Sequence, residues 1–106
     1  MKKPKEFDDC ANQLKAVADP DRLRIVNLLL GGEKSVGEIA AGLKEEIVKI
    51  SHHLGILRRA NIVQVTKKGR FKVYALHPDV FIAPTGPNDS PQLEFGCCHL
   101  SLSDDE

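Results

Sequence analysis

Hydrophobic positions along the first sixty residues recur at spacings of three and four, the period of a helix with one buried side. Phe7, Cys10, Ala11, Leu14, Val17 and Ala18 fit that spacing, which predicts an amphipathic first helix over Phe7 to Ala18 after a frayed MKKPK start. Asp19-Pro20 then marks a new beginning: Asp is a good N-cap and Pro is favoured in the first helical position. The second helix runs through Leu23, Ile25, Val26, Leu28, Leu29 and Leu30 to Gly31-Gly32. It is apolar on more than one side and is therefore the expected centre of the packing. Ser35-Val36-Gly37-Glu38 has the spacing of a capping box, in which the serine oxygen and the glutamate satisfy each other's backbone N–H groups. It opens a short third helix that ends near Leu43 and carries Val36, Ile39, Ala40 and Leu43 on its buried face. A fourth helix follows from Glu46 to Ala60. Ile47, Ile50, Leu54 and Leu57 face its core side, and Val48, Lys49, His52, Gly55, Ile56 and Arg59 face outward with no acidic group among them.

After Asn61 the period changes from helical to alternating. Ile62 to Thr66 and Arg70 to Leu76 read as two strands of a hairpin, with Lys68-Gly69 as the pair suited to its turn. Its tip is basic, because Lys67, Lys68, Arg70 and Lys72 lie on it or beside it. The expected fold is mainly α with a small β-hairpin, a winged helix-turn-helix, in which one helix enters the DNA major groove and the hairpin rests on flanking backbone. Beyond Leu76, His77-Pro78 ends the hairpin and the prolines and glycine between Ala83 and Pro91 predict an irregular linker. Gln92 to Leu102 reads as a strand with a fault: Leu93, Phe95 and Cys97 share one parity, Cys98, Leu100 and Leu102 the other. A β-bulge at Gly96-Cys97-Cys98 would bring all six to one side. The chain thus divides into a winged helix-turn-helix at residues 1–80 and, at 81–106, a proline-rich linker, the C-terminal strand and an acidic, disordered tail from Ser103. The second part belongs to the same domain or to a dimer interface.

Charge sharpens this picture. Over all 106 residues the formal net charge is zero, yet residues 44–72 hold eight Lys or Arg against two Glu, while 77–106 hold six acidic residues and no Lys or Arg. Positive charge is concentrated on the outward helix and the hairpin, as a nucleic-acid partner requires. No apolar run suggests a signal peptide or a membrane span, so a cytoplasmic protein is expected. Three cysteines, two of them adjacent, do not look like a disulfide framework, and a reducing compartment is the simpler reading. An enzyme is disfavoured: Cys-His adjacency is not a nucleophile beside a base, and neither a glycine-rich phosphate loop nor paired carboxylates occur. A winged helix used only to bind another protein is the alternative function, and the basic segment argues against it.

KAVADPDRLRIVNLL at Lys15 to Leu29, SVGEIAAGL at Ser35 to Leu43, ISHHLGILRRANIV at Ile50 to Val63 and KKGRFKVYAL at Lys67 to Leu76 resemble the ArsR-type winged-helix repressors in unbroken order over roughly residues 7–80. The resemblance implies a homodimer whose recognition helices bind a palindromic operator and which an inducer, often a soft metal ion, releases. It also implies that Ser51 and His52, in the SHHL step, meet DNA and that Arg70 lies in the wing. Two features depart from the family pattern. Ser35-Val36-Gly37-Glu38 stands where the family's third-helix Cys-x-Cys site would be, and the C-terminal strand replaces its long last helix.

The candidate DNA contacts are therefore Val48, Lys49, Ser51, His52 and Arg59 on the recognition helix and Lys67, Lys68, Arg70 and Lys72 on the wing. Hairpin lysines alone would otherwise be the usual protection of an edge strand. Cys10, Cys97, Cys98 and His99 are candidate ligands for As(III), Zn(II) or Cu(I), or a redox-sensitive group. Plain core packing is the competing reading, since free cysteine behaves as a small hydrophobe.

Overall fold

The computed structural model describes residues 4–102, so the acidic tail and the first three residues lie outside it. Helix α1 spans Pro4–Val17, starting earlier than the apolar spacing predicts. Asp19 then caps α2 (Pro20–Leu29): its Oδ2 accepts from the N–H groups of Asp21 at 2.9 Å and Arg22 at 3.1 Å. After a two-residue strand β1 (Lys34–Ser35), α3 (Val36–Leu43) begins with the capping box in place. Glu38 N–H donates to Ser35 Oγ at 3.2 Å, and Ser35 N–H donates to Glu38 Oε1 at 2.8 Å. The turn into α4 (Ile47–Arg59) passes through Lys44, which closes α3 in the left-handed region at φ 58°.

The end of α4 is a Schellman motif, two backbone bonds that wrap the last turn around a left-handed residue. Asn61 takes φ 62°, its N–H donates to Arg58 O, and Ile62 N–H donates to Leu57 O. Leu57 and Ile62 are both fully buried, which supplies the apolar contact that accompanies this motif. The wing follows at once as β2 (Val63–Lys68) and β3 (Phe71–Leu76), in register from Val63↔Leu76 to Lys68↔Phe71. Its two-residue tip is therefore Gly69-Arg70, one position later than the sequence suggests. Glycine supplies the positive φ of 62° that the first tip position requires. Strand β1 pairs with β3, giving the sheet order β1-β3-β2.

The C-terminal region corrects the expected bulge. Strands β4 (Phe81–Ile82), β5 (Gln92–Glu94) and β6 (His99–Ser101) form a second antiparallel sheet in that order, joined across the irregular linker. Leu93 pairs with Leu100 and Glu94 with His99, and Phe95 N–H donates to Cys98 O, so the chain reverses at Gly96-Cys97. A two-residue reversal shifts parity just as a bulge does, because residues directly opposed across a hairpin share a face. Leu93, Phe95, Cys98 and Leu100 thus lie together, while Cys97 sits at the tip and is exposed rather than on the apolar face.

Helix α2 contacts α1, α3, α4 and β3, as its apolar character predicts. Ile25, Ile39, Ile50, Leu54 and Leu57 are completely buried there, and Leu93 and Phe95 carry the second sheet into the same core. One expected core residue is not in it: Ile47 is 53% exposed. The buried stripe of α4 is Ile50, His53, Leu54 and Leu57, and it stops a turn short of the helix start. Among the described residues no helix is long and apolar enough to cross a membrane.

Candidate nucleic-acid interface and a three-sulfur cluster

The outward side of α4 is built by default, from the positions that the core stripe leaves over. Val48, Ser51, His52 and Arg59 are all exposed, Val48 by 79%. An isolated exposed valine is unremarkable, but here it shares a face with two hydrogen-bonding side chains and stands beside a basic wing. In that wing Lys67 and Lys72 face each other directly across the ladder. Like charges so placed repel, and an anion between or beside them relieves the repulsion. Arg70 occupies the tip and is exposed.

Two of the candidate cations already have partners. Lys68 Nζ lies 2.6 Å from Glu33 Oε2, which ties the wing to the turn before β1. Lys49 Nζ lies 3.1 Å from Glu45 Oε1 and 3.2 Å from Asp21 Oδ2. The hydrogen bonds to Glu45 and then Asp21 push the Lys49 ammonium pKa above its usual value. Beneath it, buried His53 packs between two charged groups of α2: Arg22 Nη1 is 3.1 Å from Nδ1, and Asp21 Oδ2 is 3.7 Å from Nε2. A guanidinium can only donate, so Nδ1 is the acceptor. Lys49 and His53 together brace the start of α2 against the recognition helix.

At the other end of α4 a contact appears that no sequence pattern announces. Gln13 of α1 donates through Nε2 to the carbonyl of Ala60, the C-cap of α4, at 2.9 Å. Gln13 lies three residues beyond Cys10, on the next turn of the same helix.

Cys10 is fully buried and is joined to Cys97 by a disulfide, which corrects the expectation of unpaired thiols. Cys98 is free and half-buried, with its Sγ 3.8 Å from Cys10 Sγ. All three sulfurs lie within 4.8 Å of one another. His99 is not part of the group: it is exposed on β6, with Nδ1 4.0 Å from Glu94 Oε1. The reversal at Gly96-Cys97 explains the difference, because it turns Cys97 and Cys98 towards α1 and leaves His99 in the ladder opposite Glu94. The signal that could have found this is the Gly-X pair, the same residue pattern that forms the wing tip.

The sequence profile described as "Bacterial regulatory protein, arsR family" matches residues 19–65. The transcriptional repressor SdpR of Bacillus subtilis (strain 168) is 41% identical over 69 residues, 65% of this chain and 77% of that protein. Among solved structures, HlyU from Vibrio cholerae N16961 superposes with a TM-score of 0.67 at 35% identity, covering 71% of this chain and 82% of that one. The homodimeric winged helix-turn-helix DNA-binding domain of a possible ArsR-family regulator from Mycobacterium bovis gives a TM-score of 0.64 at 30% identity, over 66% of this chain and 65% of that one. Profile, identity and winged-helix architecture converge, and the chain belongs to the arsR family, a class of DNA-binding transcriptional regulators rather than of enzymes.

Proposed function

We propose that this chain is a cytoplasmic repressor that binds operator DNA as a homodimer and releases it when a signal reaches the cysteine cluster. The observation that carries the DNA reading is the joint surface of α4 and the wing. Val48, Ser51 and His52 on α4 are the groups for base edges in the major groove, and Arg59, Lys67, Arg70 and Lys72 are those for phosphates. Lys49 and Lys68 contribute charge at the margin, since each is held by a carboxylate of its own chain. The dimer reading is supported by Phe7, 61% exposed on α1, and Ile82, exposed on the second sheet. It is also supported by the homodimeric state of the M. bovis domain. Soft ions such as As(III), Zn(II) or Cu(I), or an oxidant, are the signals that the sulfur atoms of Cys10, Cys97 and Cys98 suit. A winged helix serving only protein contacts gives no reason for two lysines to face each other on the wing.

The test is a mobility shift with DNA from the region upstream of the gene, using wild type, His52→Ala and Ser51→Ala at several salt concentrations. Wild type should give a discrete dimer complex whose affinity falls steeply with salt. The two variants should change preference among operator variants by about 1–3 kcal/mol per lost base contact. Loss of all discrimination between operator and random DNA in the wild type itself would leave the repressor reading without support.

A further inference from the structure

The apolar spacing assigns Ile47 to the core side of α4, yet it is 53% exposed, and its neighbour Val48 is 79% exposed. Together they form an apolar step on the first turn of that helix. The N-cap, Glu46, is itself exposed and makes no side-chain bond back to this turn. One exposed apolar residue needs no explanation. Two in succession, on a turn that the core does not reach, leave hydrocarbon in water where polar side chains would serve the fold equally well. Ile47 lies one turn ahead of Ser51, and Val48 one turn ahead of Ser51 and His52, so the step continues the outward face of α4 to its N-terminal end. In a helix-turn-helix that end of the second helix is the part that meets base edges.

The size of the step decides what covers it. Two side chains fall far short of the roughly 1,000 Å² that a stable protein interface buries. They match a much smaller target. In the major groove the bases present donors and acceptors and one apolar group, the C5-methyl of thymine. Opposite a purely polar edge, Ile47 and Val48 would strip water from groups they cannot hydrogen-bond, which is costly. Opposite a methyl group they bury hydrocarbon on both sides. The wing supplies the reason a polyanion lies here at all, since Lys67, Arg70 and Lys72 are exposed on it. We infer that Ile47 and Val48 read thymine methyl groups and so fix the base facing the start of α4 in each half-site. This rests on the reading above that α4 enters the major groove, and adds the chemistry of the edge it selects: a methyl at the helix start, with polar edges beside it for Ser51 and His52.

Uracil in a duplex differs from thymine by that methyl alone, and its hydrogen-bonding edges are unaltered. The experiment therefore uses the DNA upstream of the gene in two forms, one synthesised with thymidine and one with deoxyuridine, each in competition with random-sequence DNA. Mobility shifts compare the full-length wild type, Val48→Ser, Ile47→Ser/Val48→Ser and His52→Ala. Wild type should bind the uracil form roughly fourfold more weakly per methyl contacted, and so more than tenfold for a dimer that buries one in each half-site. Val48→Ser should lose most of this difference, and the double variant should bind both forms alike. His52→Ala, which leaves the apolar step in place, should keep the preference for thymine. Single thymine-to-uracil replacements should trace the loss to symmetry-related positions. Equal affinity of wild type for the two forms, or a uracil penalty undiminished in the double variant, would overturn the proposal. So would a shift of Val48→Ser towards monomer in sedimentation without DNA, because a second copy would then be what covers the step. A wild type that does not distinguish upstream from random DNA in either form removes the repressor reading itself, whereas a discriminating complex blind to the methyl overturns this proposal alone.

Discussion

Lys49 projects from the exposed side of α4, yet its ammonium is shared between Glu45, just ahead of that helix, and Asp21 on α2. Lys68 is likewise held by Glu33, whereas Arg70 stands at the wing tip. The two wing cations should therefore differ. Arg70→Ala should lower affinity for all DNA sequences alike and reduce the salt slope by about one unit, and Lys68→Ala should reduce the slope less, because Lys68 is already held by Glu33 and neutralises a phosphate less fully. Salt-dependent titrations of the two variants, with equal slopes for both, would contradict this assignment. Asp19 shows how a residue's chemistry follows from its place. Its carboxylate accepts from the N–H groups of Arg22 and Asp21, and these bonds, with the Arg22 charge, hold its pKa below 3.8. A carboxylate depressed in the fold contributes stability above its unfolded pKa and loses it as pH falls through the lower folded value. Asn caps a helix without ionising, so the advantage of wild type over Asp19→Asn should shrink in thermal melts as pH falls below the usual carboxylate range. An advantage independent of pH would mean that the charge is immaterial.

At the scale of elements, the starts of α2 and α3 are legible because they are local, whereas α1 begins at Pro4, ahead of its first apolar position. Asp19-Pro20 and Ser35 with Glu38 each satisfy their own helix's first N–H groups within three or four residues, so sequence spacing carries the whole interaction. The recognition helix is legible through its apolar stripe, although the spacing also takes in exposed Ile47, since periodicity does not say how far the core reaches. The C-terminal hairpin was not legible, because a parity slip fits a bulge and a two-residue reversal equally well. The cysteine site was hidden for a stronger reason: the distance between α1 and the tip at Gly96-Cys97 is set by tertiary packing, and nothing in the sequence near Cys10 depends on Cys97. Lys44, at the turn of the helix-turn-helix, offers a test of local strain. A β-carbon in the left-handed region costs about 1–2 kcal/mol, so Lys44→Gly should raise stability, by somewhat less than that because glycine also frees the unfolded chain. A denaturation midpoint that falls instead would show that the lysine side chain contributes more there than the turn costs.

For the whole molecule, the second sheet is part of one core with the winged helix, since Leu93 and Phe95 are buried beside the helices. Removing it is thus a folding experiment as much as an interface experiment. A cleaner probe of the proposed dimer is Phe7, whose exposed ring belongs to α1 but not to that core. Phe7→Glu should leave the circular dichroism spectrum and melting temperature of the fold nearly intact and shift sedimentation towards monomer. An unchanged dimer would place the interface elsewhere. Within one chain, α1 links the cysteine cluster to the helix of the proposed DNA face: Cys10 sits on one turn, and Gln13 on the next holds the carbonyl of α4's C-cap, Ala60. A change at the sulfurs that shifts α1 along its axis therefore has a hydrogen bond through which to tilt the recognition helix.

The bond between Cys10 and Cys97 also makes most of this chain a covalent ring. Their separation of 87 residues encloses the rest of α1, the helix-turn-helix, the wing and the exposed linker at 83–91. In the chain-entropy account, closing a loop of that length removes roughly 4.6 kcal/mol of freedom from the unfolded polymer, comparable to the net stability of many small domains. The ring has a mechanical consequence as well. A protease that cuts once within the linker opens the backbone without separating the pieces, since the polypeptide is still continuous through sulfur. The nicked oxidised protein should run as a single band of full mass under denaturing conditions without reductant, and as two fragments once thiol is added. Two fragments in both lanes would show that the ring was never closed in solution.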